Sequence, residues 1–263
     1  VETLKILRQG PVARVVMSRP ERHNAFNETV GSELLRAFEE LGADAAVRVI
    51  VLEGEGPSFS AGADLEWMQE MARAALPENR ASAERMAAIF ERIDTCPKPV
   101  VARVHGPALG GGCGLVCAAD IALAGPRAVF GFTEVRLGIL PAVISPYAIR
   151  RLGLSQARAR FLTGARFGAE EALRIGLVHA LAEDLDAEVG RTVEALLAGG
   201  PQTQAGIKDL VRTVSELPRS EQKAYTVEMA TRSRASPEGQ EGMAAFLQKR
   251  RPAWIGLVED ARS

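Results

Sequence analysis

Short apolar runs alternate with amphipathic stretches through the first 125 residues. Val12 to Ser18 (VARVVMS) reads as a strand that Pro20 stops, and Asn27 is placed as the N-cap of a helix. In that helix Val30, Leu34, Phe38 and Leu41 recur at helical spacing. Val47 to Leu52 predicts a second strand, followed by the small-residue loop EGEGPSFSAGAD. Glu78 to Asp94 predicts a long helix with Met86, Ile89, Phe90 and Ile93 on its buried face. Pro97 and Pro99 end it before a third strand, Val100 to Val104. Then HGPALGGGCGLVCAADIALAG predicts a glycine-dense loop, a short helix and a further strand.

Strands alternating with helices predict an α/β architecture with crossover connections. After residue 184 the pattern becomes helical throughout, over 186–197, 202–214, 219–234 and 238–249, with breaks at Gly199-Gly200-Pro201, Pro218 and Ser236-Pro237. The expected organisation is a core over residues 1–185 and a helical region over 186–263, as two domains or as one unit with a helical tail.

Composition narrows the function classes. The 263 residues carry 32 Lys and Arg against 33 Asp and Glu, a net charge of −1, with 47% apolar and 25% charged residues. Those are globular averages, with no basic footprint for nucleic acid. No run of about 18 apolar residues or signal-like leader is present, so the expectation is a soluble, untargeted, cytoplasmic chain without membrane contact. Cys96, Cys113 and Cys117 are too few and too scattered for a disulfide framework, and they lack the partners of a zinc site. Buried packing is expected of all three.

The candidate chemistry lies in two small-residue turns and one carboxylate. Gly106, Gly110, Gly111, Gly112 and Gly114 follow a strand and open a helix, where unpaired N–H groups and the helix dipole converge. Neither a phosphate-loop nor a dinucleotide spacing is present. An oxyanion site and simple close packing remain side by side. Ser58 to Asp64 is a second strand-to-helix turn, and oxyanion holes use two N–H groups from different segments. Glu134, just beyond a strand in an apolar stretch, is the acid–base candidate, with a solvated pair to Arg136 as the plain alternative. His23, His105 and His179 are scattered and support no hydrolase triad.

FSAGADL at 59–65, HGPALGGGCGL at 105–115 and FGFTEVRLGILP at 130–141 resemble the crotonase (enoyl-CoA hydratase/isomerase) superfamily. SRPERHNAFN, LTGARFGAEEALRIGLV and SPEGQEGMAAFLQKRRPAW extend the resemblance over nearly the whole chain. It implies an α/β crotonase-like ββα spiral core with a C-terminal helical trimerisation region, as a homotrimer or dimer of trimers. It implies an acyl-CoA thioester substrate and an enoyl-CoA hydratase activity, with no metal and no cofactor beyond the coenzyme A of the substrate. By the same resemblance Glu134 is catalytic, and the N–H groups of Ala61 and Gly111 form the oxyanion hole. Ala25, Gly62, Ala63, Asp64 and Gly110 contact substrate, and Arg22, Phe246 and Lys249 contact coenzyme A, the last two on a neighbouring subunit's ligand.

One position departs from the pattern. Typical hydratases of the superfamily carry a second glutamate where this chain has Gly114. A single glutamate also fits a Δ3,Δ2-enoyl-CoA isomerase, and a non-catalytic acyl-CoA-binding scaffold or RNA-binding role is a rival of another class. PAVISPY at 141–147 beside Gly114 looks like the methylglutaconyl-CoA and carboxygeranoyl-CoA hydratase group. There the substrate's own carboxylate, Ser145 or Tyr147 would help to hold water, and Arg136 would face the substrate carboxylate.

Overall fold

The computed structural model describes residues 3–255. An antiparallel hairpin of β1 (Leu4–Gln9) and β2 (Val12–Met17) opens the chain, with Leu4 opposite Met17. A 3-10 turn at Pro20–Arg22 leads to α1 (Glu28–Ala43), whose first turn is capped by Asn27 Oδ1 accepting the Val30 N–H at 2.9 Å. Next come β3 (Val49–Gly54), α2 (Leu65–Arg73), α3 (Leu76–Asp94), β4 (Val100–Val104), β5 (Ala108–Leu109), α4 (Gly111–Ala118), β6 (Ile121–Ala124) and β7 (Val129–Gly131). A 3-10 turn at Glu134–Leu137 precedes α5 (Ser145–Thr163), β8 (Phe167–Gly168), α6 (Ala169–Arg174) and β9 (Ala180–Leu181). The chain then runs through α7 (Leu185–Ala198), α8 (Pro201–Glu216), α9 (Arg219–Ala235) and α10 (Pro237–Leu247).

The main sheet has the order β1-β2-β3-β4-β6-β9, parallel everywhere except the first hairpin, and a small sheet β5-β7-β8 stands beside it. Its central strands are buried on both faces, which is why they read as continuous apolar runs. Ile50, Leu52, Val100, Ala102 and Val104 join the larger core with α1, α3 and α4, whereas Val49, Val51 and Val101 face α7 through Leu185, Val189, Val193 and Leu197. The expected mixed α/β fold is therefore present.

The sequence pattern gives no signal for the two-residue strands β5, β8 and β9 or the six-residue helix α6, and it also misses two longer elements. Strand β1 buries only Leu4 of its six residues, so it shows no apolar face. Helix α5 is rich in arginine, and Gly153 departs from helical geometry inside it, so its periodicity is broken. Helix α7, which starts at the expected boundary near 185, covers the second face of the sheet through an apolar cluster of its own. The arm beyond it, α8 to α10, buries little and is tied back by Lys208, whose Nζ lies 2.7 Å from Asp120 Oδ2. Among the described residues no helix is long and apolar enough to cross a membrane.

Candidate active site

A cavity of about 720 Å³ lies between α2 and α3 on one side and the 133–144 segment on the other, with the glycine turn before α4 at its floor. Its walls are chiefly apolar: Trp67, Met68, Met71, Met86, Phe90, Leu137, Ile139 and Ile144. Among the described residues lining it, Glu134 is the one ionisable side chain. Met86 and Phe90 come from the face of α3 that the sequence marks as buried. Asn79 shapes the far wall by donating from Nδ2 to the carbonyls of Met71 and Ala74, both at 3.0 Å, which ties the end of α2 to α3.

Glu134 opens the 3-10 turn after β7, and its Oε2 is buried without a hydrogen-bond partner. Desolvation is the dominant influence and lifts its carboxyl above the ordinary carboxylate range. A carboxylate with an unused lone pair and a raised pKa in an apolar cavity is suited to taking and returning a proton near neutral pH. Gly110 makes its approach possible. A side chain there would place Cβ 3.2 Å from Glu134 Oε1, and the φ of +50° lies where L side chains are strained.

The two small-residue turns meet at this carboxylate. Phe26 N–H donates to Gly62 O and Asp64 N–H donates to Phe26 O, each at 2.7 Å. Ala63 is thus held between two bonds directed at Phe26, and its own N–H points the other way, with no acceptor among the described residues. Gly62, at φ +91° and with Leu109 O 2.9 Å from where its Cβ would be, turns the chain into this position. Gly111 is the first residue of α4, so its N–H has no intrahelical acceptor. Ala63 and Gly111 both line the cavity. Two unpaired amides from separate segments therefore share the cavity with one unpartnered carboxylate oxygen, Glu134 Oε2.

This geometry corrects the expected donor. Ala61 lines the cavity, but its N–H is engaged by His23 O at 2.9 Å, so the unpaired amide of this turn belongs to Ala63. Asp64 is also reassigned. It is 4% exposed, caps α2 through the Glu66 N–H and pairs with Arg19 at 3.0 Å, so it supports the turn from behind. Arg136 is exposed and lies against Gly164, outside the cavity. Tyr147 packs its ring on Phe90 at 6.0 Å and lines a different cavity, and Ser145 Oγ donates to Ala142 O at 2.8 Å. None of these three side chains reaches Glu134's cavity.

The coenzyme A candidates are also outside it. Arg22 is paired with Glu66 at 2.8 Å, and Ala25, expected among the substrate contacts, is buried with its carbonyl accepting from Arg19. Phe246 is 83% exposed near the end of α10, and Lys249 follows that helix in a left-handed conformation. Cys96, Cys113 and Cys117 are all buried, and Cys113 donates its thiol hydrogen to Ala108 O at 2.9 Å. Burial pushes the Cys117 thiol up to about 12, so it is an inert packing group.

Gly114 stands one helical turn into α4, and the space beside it is filled. A Cβ at that position would lie 2.4 Å from Ile144 Cγ2 and 2.8 Å from Phe90 Cε1. The missing second carboxylate is therefore a packed apolar wall.

Known proteins share this fold. The chain matches the Enoyl-CoA hydratase/isomerase family over residues 8–257. A crystal structure of an enoyl-CoA hydratase from Shewanella pealeana superposes with a TM-score of 0.93 at 40% identity, covering 96% of each chain. Pseudomonas aeruginosa AtuE superposes with a TM-score of 0.92 at 36% identity, covering 97% of this chain and 100% of its own. Enoyl-CoA hydratase ACTT6 of Alternaria alternata is 36% identical over 215 residues, 79% of this chain and 69% of that protein. The chain belongs to the enoyl-CoA hydratase/isomerase family, as an enzyme of the enoyl-CoA hydratase kind acting on acyl-CoA thioesters.

Proposed function

We propose that this enzyme adds water across the α,β double bond of an enoyl-CoA thioester, with Glu134 as sole acid–base and the N–H groups of Ala63 and Gly111 holding the thioester oxygen. The observation that carries this reading is the unpartnered Glu134 Oε2 in the same apolar cavity as two unpaired amides. Ionised Glu134 takes a proton from water as the water oxygen bonds to Cβ. The electron pair of the double bond moves onto the thioester oxygen, where the two amides stabilise it. Protonated Glu134 then delivers that proton to Cα on the same face, and the carboxylate is restored. The thioester supplies the acidity at Cα, so the scheme calls on no metal or cofactor.

The substrate we propose is branched and carboxylated, of the 3-methylglutaconyl type. With Ile144 and Phe90 packed against Gly114, and with Ser145, Tyr147 and Arg136 outside the cavity, a second carboxylate near the reacting carbons would come with the substrate. The cavity offers neutral donors for it: the amides of Ala142, Val143 and Ile144 have no acceptor among the described residues. The catalytic unit we propose is a homotrimer or dimer of trimers, in which Phe246 and Lys249 serve a neighbouring copy's ligand. The exposed apolar side chains of α8 and α10 support it: Ile207, Val211, Phe246 and Leu247.

The experiment is turnover of glutaconyl and 3-methylglutaconyl thioesters against their uncharged ω-amides and crotonyl-CoA, in water labelled with oxygen-18. Label in a 3-hydroxyacyl product is expected, with the carboxylated thioesters favoured at least about tenfold. Conversion of 3-hexenoyl-CoA to the conjugated 2-enoyl thioester, with no labelled 3-hydroxyacyl product from any conjugated substrate, would make the enzyme an isomerase, and equal rates for acid and amide would remove the carboxylate from recognition.

A further inference from the structure

The guanidinium of Arg151, on α5, sits at the carbonyl end of α4. Its Nη2 donates to the carbonyl oxygens of Val116 at 3.4 Å, Cys117 at 3.3 Å and Ala119, and its Nη1 lies 3.1 Å from His179 Nε2. These are carbonyls that the end of a helix leaves without intrahelical partners. Among the described residues none of these bonds goes to a carboxylate. Asp94 is engaged by Arg150 and Asp120 by Lys208. His179 accepts the Ala122 N–H through Nδ1, and burial together with the adjacent arginine holds its pKa below the ordinary value, so it adds no second charge.

Helix α4 has only eight residues, about 12 Å of axis. Gly111 is at one end and Arg151 at the other. A helix carries about half a positive charge at its amide pole and half a negative charge at its carbonyl pole. In so short a helix the negative pole stands near enough to an oxyanion at Gly111 to oppose its stabilisation. Arg151 itself lines a separate cavity of about 640 Å³ and is absent from the lining of the cavity that holds Glu134.

We propose that Arg151 is a positioning residue for the reaction: it neutralises the carbonyl pole of α4 and fixes that helix, so that the amide pole acts unopposed on the thioester oxygen. This rests on the reading of Gly111 as an oxyanion donor. A charge acting over this distance through the protein interior alters the rate by about fivefold.

The test compares Arg151→Gln, which keeps hydrogen-bonding capacity without charge, with Arg151→Lys, which keeps the charge. The readout beside kinetics is the red shift of 4-dimethylaminocinnamoyl-CoA, a chromophore whose absorbance moves as its thioester carbonyl is polarised, measured in a Glu134→Gln background. For Arg151→Gln the expectation is a smaller red shift and about fivefold lower kcat with KM within about twofold. Arg151→Lys should restore at least half of both. A full red shift in the Gln variant overturns the proposal, as does a Lys variant that loses as much as Gln. Near-UV circular dichroism follows folding. Should the Gln variant not fold, a folded Lys variant decides alone: a retained shift supports the proposal and a lost one ends it. Absence of any red shift with Arg151 in place would instead remove Gly111 from the oxyanion hole.

Discussion

Glu134, the acid–base of the proposed reaction, carries a cost for the fold. Its pKa is raised, so the folded protein keeps a proton that the unfolded chain releases between the ordinary value of 4.5 and the raised one. Over that window the native state binds more protons than the unfolded chain, and stability falls as pH rises. Glu134→Gln should therefore melt higher than the parent at pH 7, with the difference closing below pH 4.5 in a thermal scan. The same variant should bind acyl-CoA unchanged and lose turnover by at least about 100-fold. Because the ionised form starts the reaction, the acid limb of kcat/KM should follow one group titrating above 4.5, measurable in a pH–rate profile. The desolvation of Glu134 was legible in the sequence, because a carboxylate set in an apolar stretch is taken out of water on folding. The choice between Ala61 and Ala63 was not, because both are small residues of one turn and only the hydrogen bonds of Phe26 and His23 separate them.

At the scale of elements, the site is a meeting of α2, α3, the start of α4 and the 133–144 segment that leads into α5. Phe90 and Ile144 pack against the bare face of α4 at Gly114. Gly114→Ala should cost about 1–3 kcal/mol by overpacking, read as a lowered melting temperature. Ile144→Ala in the same chain should return part of that loss, and strict additivity of the two changes would show that they do not share the space. The helices with clean apolar stripes, α1 and α3, were readable from spacing alone. Helix α5 was not, since its functional end is an irregular turn and its body is arginine-rich, with the partners of Arg150 and Arg151 distant in sequence. Asn79 belongs to the same lesson. Its two bonds to the end of α2 cannot be seen in a sequence, and Asn79→Ala should raise KM severalfold with a smaller change in kcat as that cavity wall loosens, separable by steady-state kinetics.

For the whole molecule, the sheet and its two covering layers followed from the apolar runs, whereas the extent of the core did not. The apolar face of α7 looks like that of any surface helix in sequence, and only its partners Val49, Val51 and Val101 assign it to the sheet. The arm beyond it leaves Val211 of α8 65% exposed. Light scattering on the purified chain should give three or six times 28.1 kDa, and Val211→Asp should move the mass toward a single chain. An unchanged mass would locate the contact elsewhere.

The wall at Gly114 also constrains how this enzyme can change over generations. Its 2.4 Å conflict with Ile144 means that no single codon change installs a tolerated second glutamate, since the new side chain arrives before there is room for it. Bulk at both 144 and 90 has to yield first, and those steps empty packed space with no catalytic return. The order of substitutions is thus fixed, and its first member is penalised. An isoleucine and a phenylalanine together close position 114, so a library meant to restore a second carboxylate there has to vary 90, 114 and 144 at once.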